Sequence, residues 1–280
     1  MGAEQRNPLK RCAGIRHWAI GLLVLVVAVV VAVLLEPTRV PYGWLTGEQF
    51  YDGRPTSYWE RRLRAREPSE RTNSIKSLLD GGSAALPVTR ELLARADTRR
   101  TAFEILAQIG PPAKDAVSEL AEALTDSDPL VRELALRALK RLGPDAAPAV
   151  PALAQRLKTA DRLAVLQVLQ DIRAGAKEAV PHVRQALADP DAEVRWNAAE
   201  VLARVGGPAR EALPELVAGL NDKDSKVRWH FAEALGKIGS AAKSAVPALK
   251  ALLDDPEKRV RDEARRAIIR IDPQALSESR

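Results

Sequence analysis

The 280-residue chain has 47 Ala, 11 aromatic residues and 29% charged side chains, with a formal charge of +6. An apolar fraction of 46% excludes wholesale disorder, and the shortage of aromatics argues against a β-sandwich and for helices packed through small residues. One Cys and three scattered His (His17, His182, His230) exclude a disulfide framework and leave little for a metal cluster.

Residues 1–17 form a basic tail, with Arg6, Lys10, Arg11 and Arg16 against the single acid Glu4. Residues 18–35 then run without a charge, from Trp18 to Leu35, and predict a helix of about 27 Å, long enough to cross a bilayer. Beyond it stand Glu36, Pro37 and one early base, Arg39, so the positive-inside bias keeps the N-terminus in the cytosol and exports the remainder. Trp18 on one side and Tyr42 and Trp44 on the other are placed for the two interfaces. The apolar run exceeds an ordinary signal-peptide core and lacks an A-x-A-like exit, which favours a retained anchor over a cleaved signal. Residues 36–55 read as an aromatic-rich linker: Pro41–Trp59 holds six of the eleven aromatics, Tyr42, Trp44, Phe50, Tyr51, Tyr58 and Trp59.

Residues 56–280 read as an α-solenoid. Thr56–Arg66 and Ser69–Leu79 form a divergent first helix pair. From residue 78 a phrase recurs at Ile109-Gly110, Leu142-Gly143, Ile172-Arg173, Val205-Gly206, Ile238-Gly239 and Ile271-Asp272, a period of roughly 30–33 residues. Val117-Ser118, Val150-Pro151, Val180-Pro181, Leu213-Pro214 and Val246-Pro247 keep the same register. A fixed period of helical pattern is the signature of stacked helical hairpins. Val117, Leu120, Ala121 and Leu124 mark the inner stripe of a first helix; Val131, Leu134, Ala135, Ala138, Leu139 and Leu142 mark that of the second. The glycines suit helix C-caps, and the prolines fall in the first turn of the next helix. The expected fold is all-α: about six to seven hairpins preceded by one N-terminal transmembrane helix.

Four loops place an acid six residues before a base: Asp126/Arg132, Asp189/Arg195, Asp222/Arg228 and Asp255/Arg261. Arg99 and Arg162 keep the base without that acid. With A-V-P-x-L-x-x-L-x-D-x-x-x-x-V-R-x-x-A-x-x-A-L-x-x-I-G followed closely over Val180–Gly206 and Val246–Arg261, the chain resembles the HEAT-repeat family, including its short bacterial branch. The resemblance implies that these Asp and Arg side chains stack as a structural ladder between repeats. The unit at 145–175 is three residues short, with Thr159-Ala160-Asp161 in its loop. Tyr51–Trp59 resembles the segment preceding the repeats in membrane-anchored bacterial HEAT proteins. It is expected to plug the apolar edge of the first repeat or to dock a partner.

Catalytic patterns are absent from the sequence: it has no G-x-S-x-G, Walker loop, H-E-x-x-H or C-x-x-C. No enzyme activity, cofactor or metal is expected. A binding face remains. Stepping 100° per residue along the second helices puts Trp196 and Trp229 about 200° from the core stripe, with Leu163 equivalent in the preceding unit. Glu200 and Glu233 follow one turn on, Arg204 and Lys237 two turns on. On a HEAT solenoid this helix lines the concave surface, and exposed Trp beside Arg and Glu is the composition of a protein-recognition hot spot. The alternative is that the indoles lie flat over Ala199, Ala203, Ala232 or Gly236. The expected function is a single-pass, membrane-tethered scaffold that binds a protein or peptide, with its repeats extracytoplasmic (periplasmic in a bacterium). Two competitors stand behind it: a lyase-type enzyme, because short HEAT-like repeats resemble those of phycobilin lyases, and a nucleic-acid binder. Half of the +6 charge lies in residues 1–35 and the rest is spread over the solenoid, so no nucleic-acid partner is expected.

Overall fold

A computed structural model describes residues 22–31 and 38–276. The basic tail 1–17 and most flanks of the apolar segment 18–35 lie outside the described residues. Within that segment, residues 22–31 are helical (α1) and exposed. Among the described residues no helix is long and apolar enough to cross a membrane. The chain divides into two compact units, Met1–Thr101 and Ala102–Arg280.

The first unit contains α2 (Val40–Thr46) and a feature the all-α expectation missed. Phe50–Tyr51 (β1) pairs antiparallel with Arg54–Pro55 (β2). Asp52 and Gly53 both take positive φ, 50° and 66°, as a tight two-residue hairpin turn requires. Two-residue strands give no period to detect, so only the Asp-Gly turn signalled the hairpin. The helices α3 (Thr56–Leu63), α4 (Pro68–Gly81) and α5 (Leu86–Leu93) follow. Trp59 is buried, lies 5.5 Å from the Tyr51 ring and donates its Nε1–H to the Tyr51 carbonyl. The Tyr51 hydroxyl donates to the Ser77 carbonyl at 3.1 Å. This part of the aromatic segment is therefore interior packing, whereas Trp44 is 74% and Leu45 77% exposed. Glu48 and Glu91 fix the hairpin by accepting from Ser57 N and Gln49 N at 2.8 and 3.1 Å.

α6 (Arg99–Ile109) leads into the second unit, whose repeats are the pairs α7 (Val117–Ala123)/α8 (Pro129–Leu142), α9 (Val150–Arg156)/α10 (Arg162–Ile172), α11 (Val180–Ala186)/α12 (Ala192–Val205), α13 (Leu213–Gly219)/α14 (Ser225–Ile238) and α15 (Val246–Ala251)/α16 (Lys258–Ile271). The second helices α8, α10, α12, α14 and α16 stack side by side as one layer, and the short first helices pack against them. The unit is an α-solenoid. Its core is the predicted stripe: Val131, Leu134, Ala135, Ala138, Leu139 and Leu142 are buried, as are their counterparts on α12 and α14. Small residues set the helix spacing. A Cβ on Gly236 of α14 would fall 2.9 Å from the Cα of Ala267 on α16, so only glycine permits this approach.

The helices α6, α8, α10, α12 and α14 each end on a residue with φ between 56° and 77°, and the chain then enters a 3-10 turn. Gly110, Gly143, Gly206 and Gly239 take this position easily. In the short repeat, Arg173 occupies it with φ 61° and ψ −131°. The prolines at 151, 181, 214 and 247 sit at the second residue of their helices, where no intrahelical N–H bond is lost.

The Asp and Arg columns form the expected ladder, and the structure defines its register. Arg195 forks onto Asp222 and Arg228 onto Asp255, 27 residues on in the next repeat, with Nε–Oδ2 distances of 2.7 and 2.8 Å. Within its own repeat each Arg instead donates to the Asp main-chain carbonyl: Arg132 to Asp126, Arg195 to Asp189, Arg228 to Asp222 and Arg261 to Asp255. The same Asp carboxylates accept from N–H groups two residues on, shaping the loop. Asp128, Asp191 and Asp224 then cap α8, α12 and α14. The fork raises both arginines above their ordinary range. Burial pushes Asp222 up, but the Arg195 bond, the Asp224 backbone N–H and the neighbouring positive charges together outweigh it and leave the carboxyl below its ordinary range. The Arg228 bond does the same for Asp255.

The short repeat keeps the ladder by substitution. Arg162 lacks an acid six residues before it, yet pairs with Asp189 at 2.8 Å, because its partner always belongs to the next unit. Asp161 stands in as the acid for Arg132, at 3.6 Å from its Nε, too long for a hydrogen bond, and is shared with Arg156.

Candidate functional site

The second-helix layer places Leu163, Trp196 and Trp229 at equivalent positions of α10, α12 and α14, all half-buried. Neither indole simply lies on the alanines of its own helix. The His230 ring, from the next repeat, stacks on Trp196 with centroids 5.0 Å apart and planes within 18°. The Lys226 ammonium, also on α14, lies 3.4 Å from the Trp196 ring centroid. Trp229 meets the edge of His230 at 4.3 Å, and the Arg259 guanidinium of α16 lies 5.6 Å from its ring. Each Trp thus receives a cation from the following repeat, an attraction of about 0.5–1 kcal/mol where solvent reaches it. Glu193 holds the corresponding position after Leu163, so the pattern starts with the first Trp.

Beneath the indoles the predicted acids converge on a residue the sequence reading left out. His230 is buried, and its Nδ1 lies 3.3 Å from Glu200 Oε2 and 3.7 Å from Glu233 Oε2. Arg204, exposed, donates to Glu200 at 2.7 Å. The imidazole holds the Glu200 carboxyl below its ordinary range against the effect of burial, with Arg204 assisting. Burial, and then the Glu200 charge, pushes Glu233 above its ordinary range. Lys237 stays exposed. The seven predicted residues therefore do not make one uniform surface: Trp196, Trp229, Glu200 and Glu233 form a knit cluster, with Leu163, Arg204 and Lys237 around it.

Lys226 and Arg259 were also missed, and with Trp229, Ser225, Glu257 and Val260 they line a surface cavity of 170 Å³. A sequence signal existed for all three missed residues. The helical wheel that sets Trp229 opposite the core sets His230 about 60° from the stripe, a half-inward position. Lys226 and Arg259 follow Trp196 and Trp229 at the same spacing.

Comparison with known proteins bears on the repeats alone. The sequence profile for HEAT repeats matches residues 86–171, 150–210 and 180–269. The chain belongs to the HEAT-repeat family. A HEAT-like repeat protein from the archaeon Thermococcus onnurineus NA1 is similar in structure, at a TM-score of 0.57 and 17% identity over 78% of this chain and 97% of that one. An engineered protein gives a TM-score of 0.50 at 22% identity, covering 80% of this HEAT chain and all (100%) of its own. Designed armadillo repeat proteins for modular peptide recognition reach 0.49 at 18% identity, over 76% and 98% of the two chains. At 17% identity the likeness to the archaeal protein describes the fold only. No curated protein matches the sequence.

Proposed function

We propose that this HEAT-repeat protein is a membrane-tethered scaffold whose second-helix face captures a protein or peptide segment. The observation that carries the reading is the Trp196–Trp229 pair: two half-exposed indoles one repeat apart, braced by Lys226 and Arg259, with a cavity opening beside the second. Rigid, partly exposed Trp flanked by charge is the composition in which binding energy concentrates. The cations at the cavity favour a segment that presents carboxylates next to an apolar side chain.

The tether rests on the charge-free run 18–35 and the basic tail before it. Within it, the apolar side chains described from Leu22 to Val31 are exposed, and Trp44 and Leu45 extend the exposed apolar set. In this reading the N-terminus is cytosolic and the repeats lie across the membrane.

Two measurements test the two halves. Crosslinking and pull-down of the full chain from its own membranes is expected to retain a partner that the Trp196→Ala/Trp229→Ala variant loses while remaining folded. Equal capture by that variant overturns the binding face. A C-terminal reporter that is active only outside the cytosol is expected to be on, and a cytosolic result overturns the topology.

A further inference from the structure

We propose that Glu200, His230 and Glu233 form a binding site for one divalent first-row cation of zinc-like preference. The site does not rest on partner capture and stands or falls on its own ligands. Glu200 comes from α12, and His230 and Glu233 come from successive turns of α14, so the stacking of two repeats brings the three together. Their ligand atoms all lie within 4.8 Å of one another. A tetrahedral ion bound at about 2.0–2.1 Å separates its ligands by about 3.4 Å. The 3.3 Å and 3.7 Å from His230 Nδ1 to the two carboxylates are close to that edge, and rotation of one carboxylate closes the third.

His230 supplies the independent observation. The residue is only 7% exposed, and its Nδ1 is enclosed without any hydrogen-bond partner. Both carboxylates are near this nitrogen, yet neither lies in line to accept from it, an arrangement costly for a buried polar atom. A cation between the three groups satisfies the nitrogen lone pair and both acids at once.

The surrounding charge points the same way. Arg204 serves Glu200, and Arg266 and Arg270 serve the buried Glu263. Glu233 has no ion-pair partner other than His230 among the described residues. The ligand oxygens of Glu200 and Glu233 lie within 4.8 Å of each other, a repulsion between carboxylates that a metal ion relieves. One imidazole with two carboxylates suits zinc and its first-row neighbours better than calcium or magnesium, which favour all-oxygen shells. Three protein ligands leave a further coordination position for water or a partner's group.

Trp196 and Trp229 make the test direct, since both rings touch His230. The full chain, purified in detergent and stripped with chelator, is titrated with zinc by calorimetry and with cobalt while tryptophan emission and visible absorption are followed. One ion per chain is expected, with cobalt quenching the tryptophans. Glu233→Gln and His230→Gln are each expected to weaken zinc at least tenfold, whereas Glu133→Gln, on the surface of α8, leaves it unchanged. Glu233→Gln resembles the protonated acid in shape, so it keeps the test valid should the His230 variant misfold. No saturable binding, or affinity unchanged in both ligand variants, overturns the site.

Discussion

Arg195 grips Asp222 of the following repeat at two points, Nε to Oδ2 at 2.7 Å and Nη2 to Oδ1 at 2.9 Å, while its Nη1 donates to Asp189 O in its own repeat. One side chain therefore ties a loop to itself and to its neighbour. Because Arg195 is 8% exposed, removing the acid leaves a charge that water barely reaches. Asp222→Ala is expected to lower unfolding stability by about 3 kcal/mol. Asp262→Ala, which removes an exposed, solvent-screened pair with Lys258, is expected to leave stability nearly unchanged. Urea denaturation of both variants beside the parent measures the contrast.

The ladder also sets the acid limit. Asp222 and Asp255 titrate below their ordinary range in the fold. A depressed folded pKa contributes stability above the unfolded value, near 3.8, and loses it as pH falls through the folded one. Melting temperature is thus expected to hold from neutral pH down to about pH 5 and to drop below about pH 4. Asp255→Asn is expected to start lower and to fall less steeply there. A variant curve parallel to the parent's contradicts the assignment.

Arg173 stands where the other repeats place glycine, at φ 61° and ψ −131°. A side chain pays a steric penalty there that glycine avoids. Arg173→Gly is expected to stabilise the protein by about 1 kcal/mol, seen as a higher denaturation midpoint with an unchanged slope. Gly206→Arg, with φ 72° and ψ −137°, is expected to destabilise by a similar amount.

Trp196 has a structural share as well as a recognition one. Truncating it removes the stacked contact with His230 and the ring beneath the Lys226 ammonium, so Trp196→Ala is expected to cost about 1–2 kcal/mol. That is well short of the roughly 3–5 kcal/mol expected for Phe231→Ala in the core. Thermal melts of the two variants separate the cases: equal losses would make Trp196 a core residue and remove the basis for the binding face.

The repeat register, the buried stripe and the ladder residues were all legible in the sequence, because a pattern repeated five or six times averages out local accidents. Residues that occur once were not. The β1–β2 hairpin is too short for periodicity and is set by Asp52-Gly53. His230 was passed over because its role comes from the adjacent repeat, through Glu200 and the stacked Trp196, and a reading of one helix at a time does not see across that junction. The Asp161 substitution was hidden for a similar reason. Counting within a unit finds the loop bond from Arg195 to the Asp189 carbonyl, whereas the ionic partner, Asp222, belongs to the unit that follows.

That forward reach gives the ladder a polarity. Each repeat offers an arginine to its successor and an aspartate to its predecessor, and Arg195/Asp222 and Arg228/Asp255 use interchangeable fittings. A whole repeat copied in tandem here would meet a matching acid on one side and a matching base on the other. The array can lengthen by duplication without inventing a new junction, and the Trp196 and Trp229 repeats, alike in ladder, cation and indole, have the form such an event would leave.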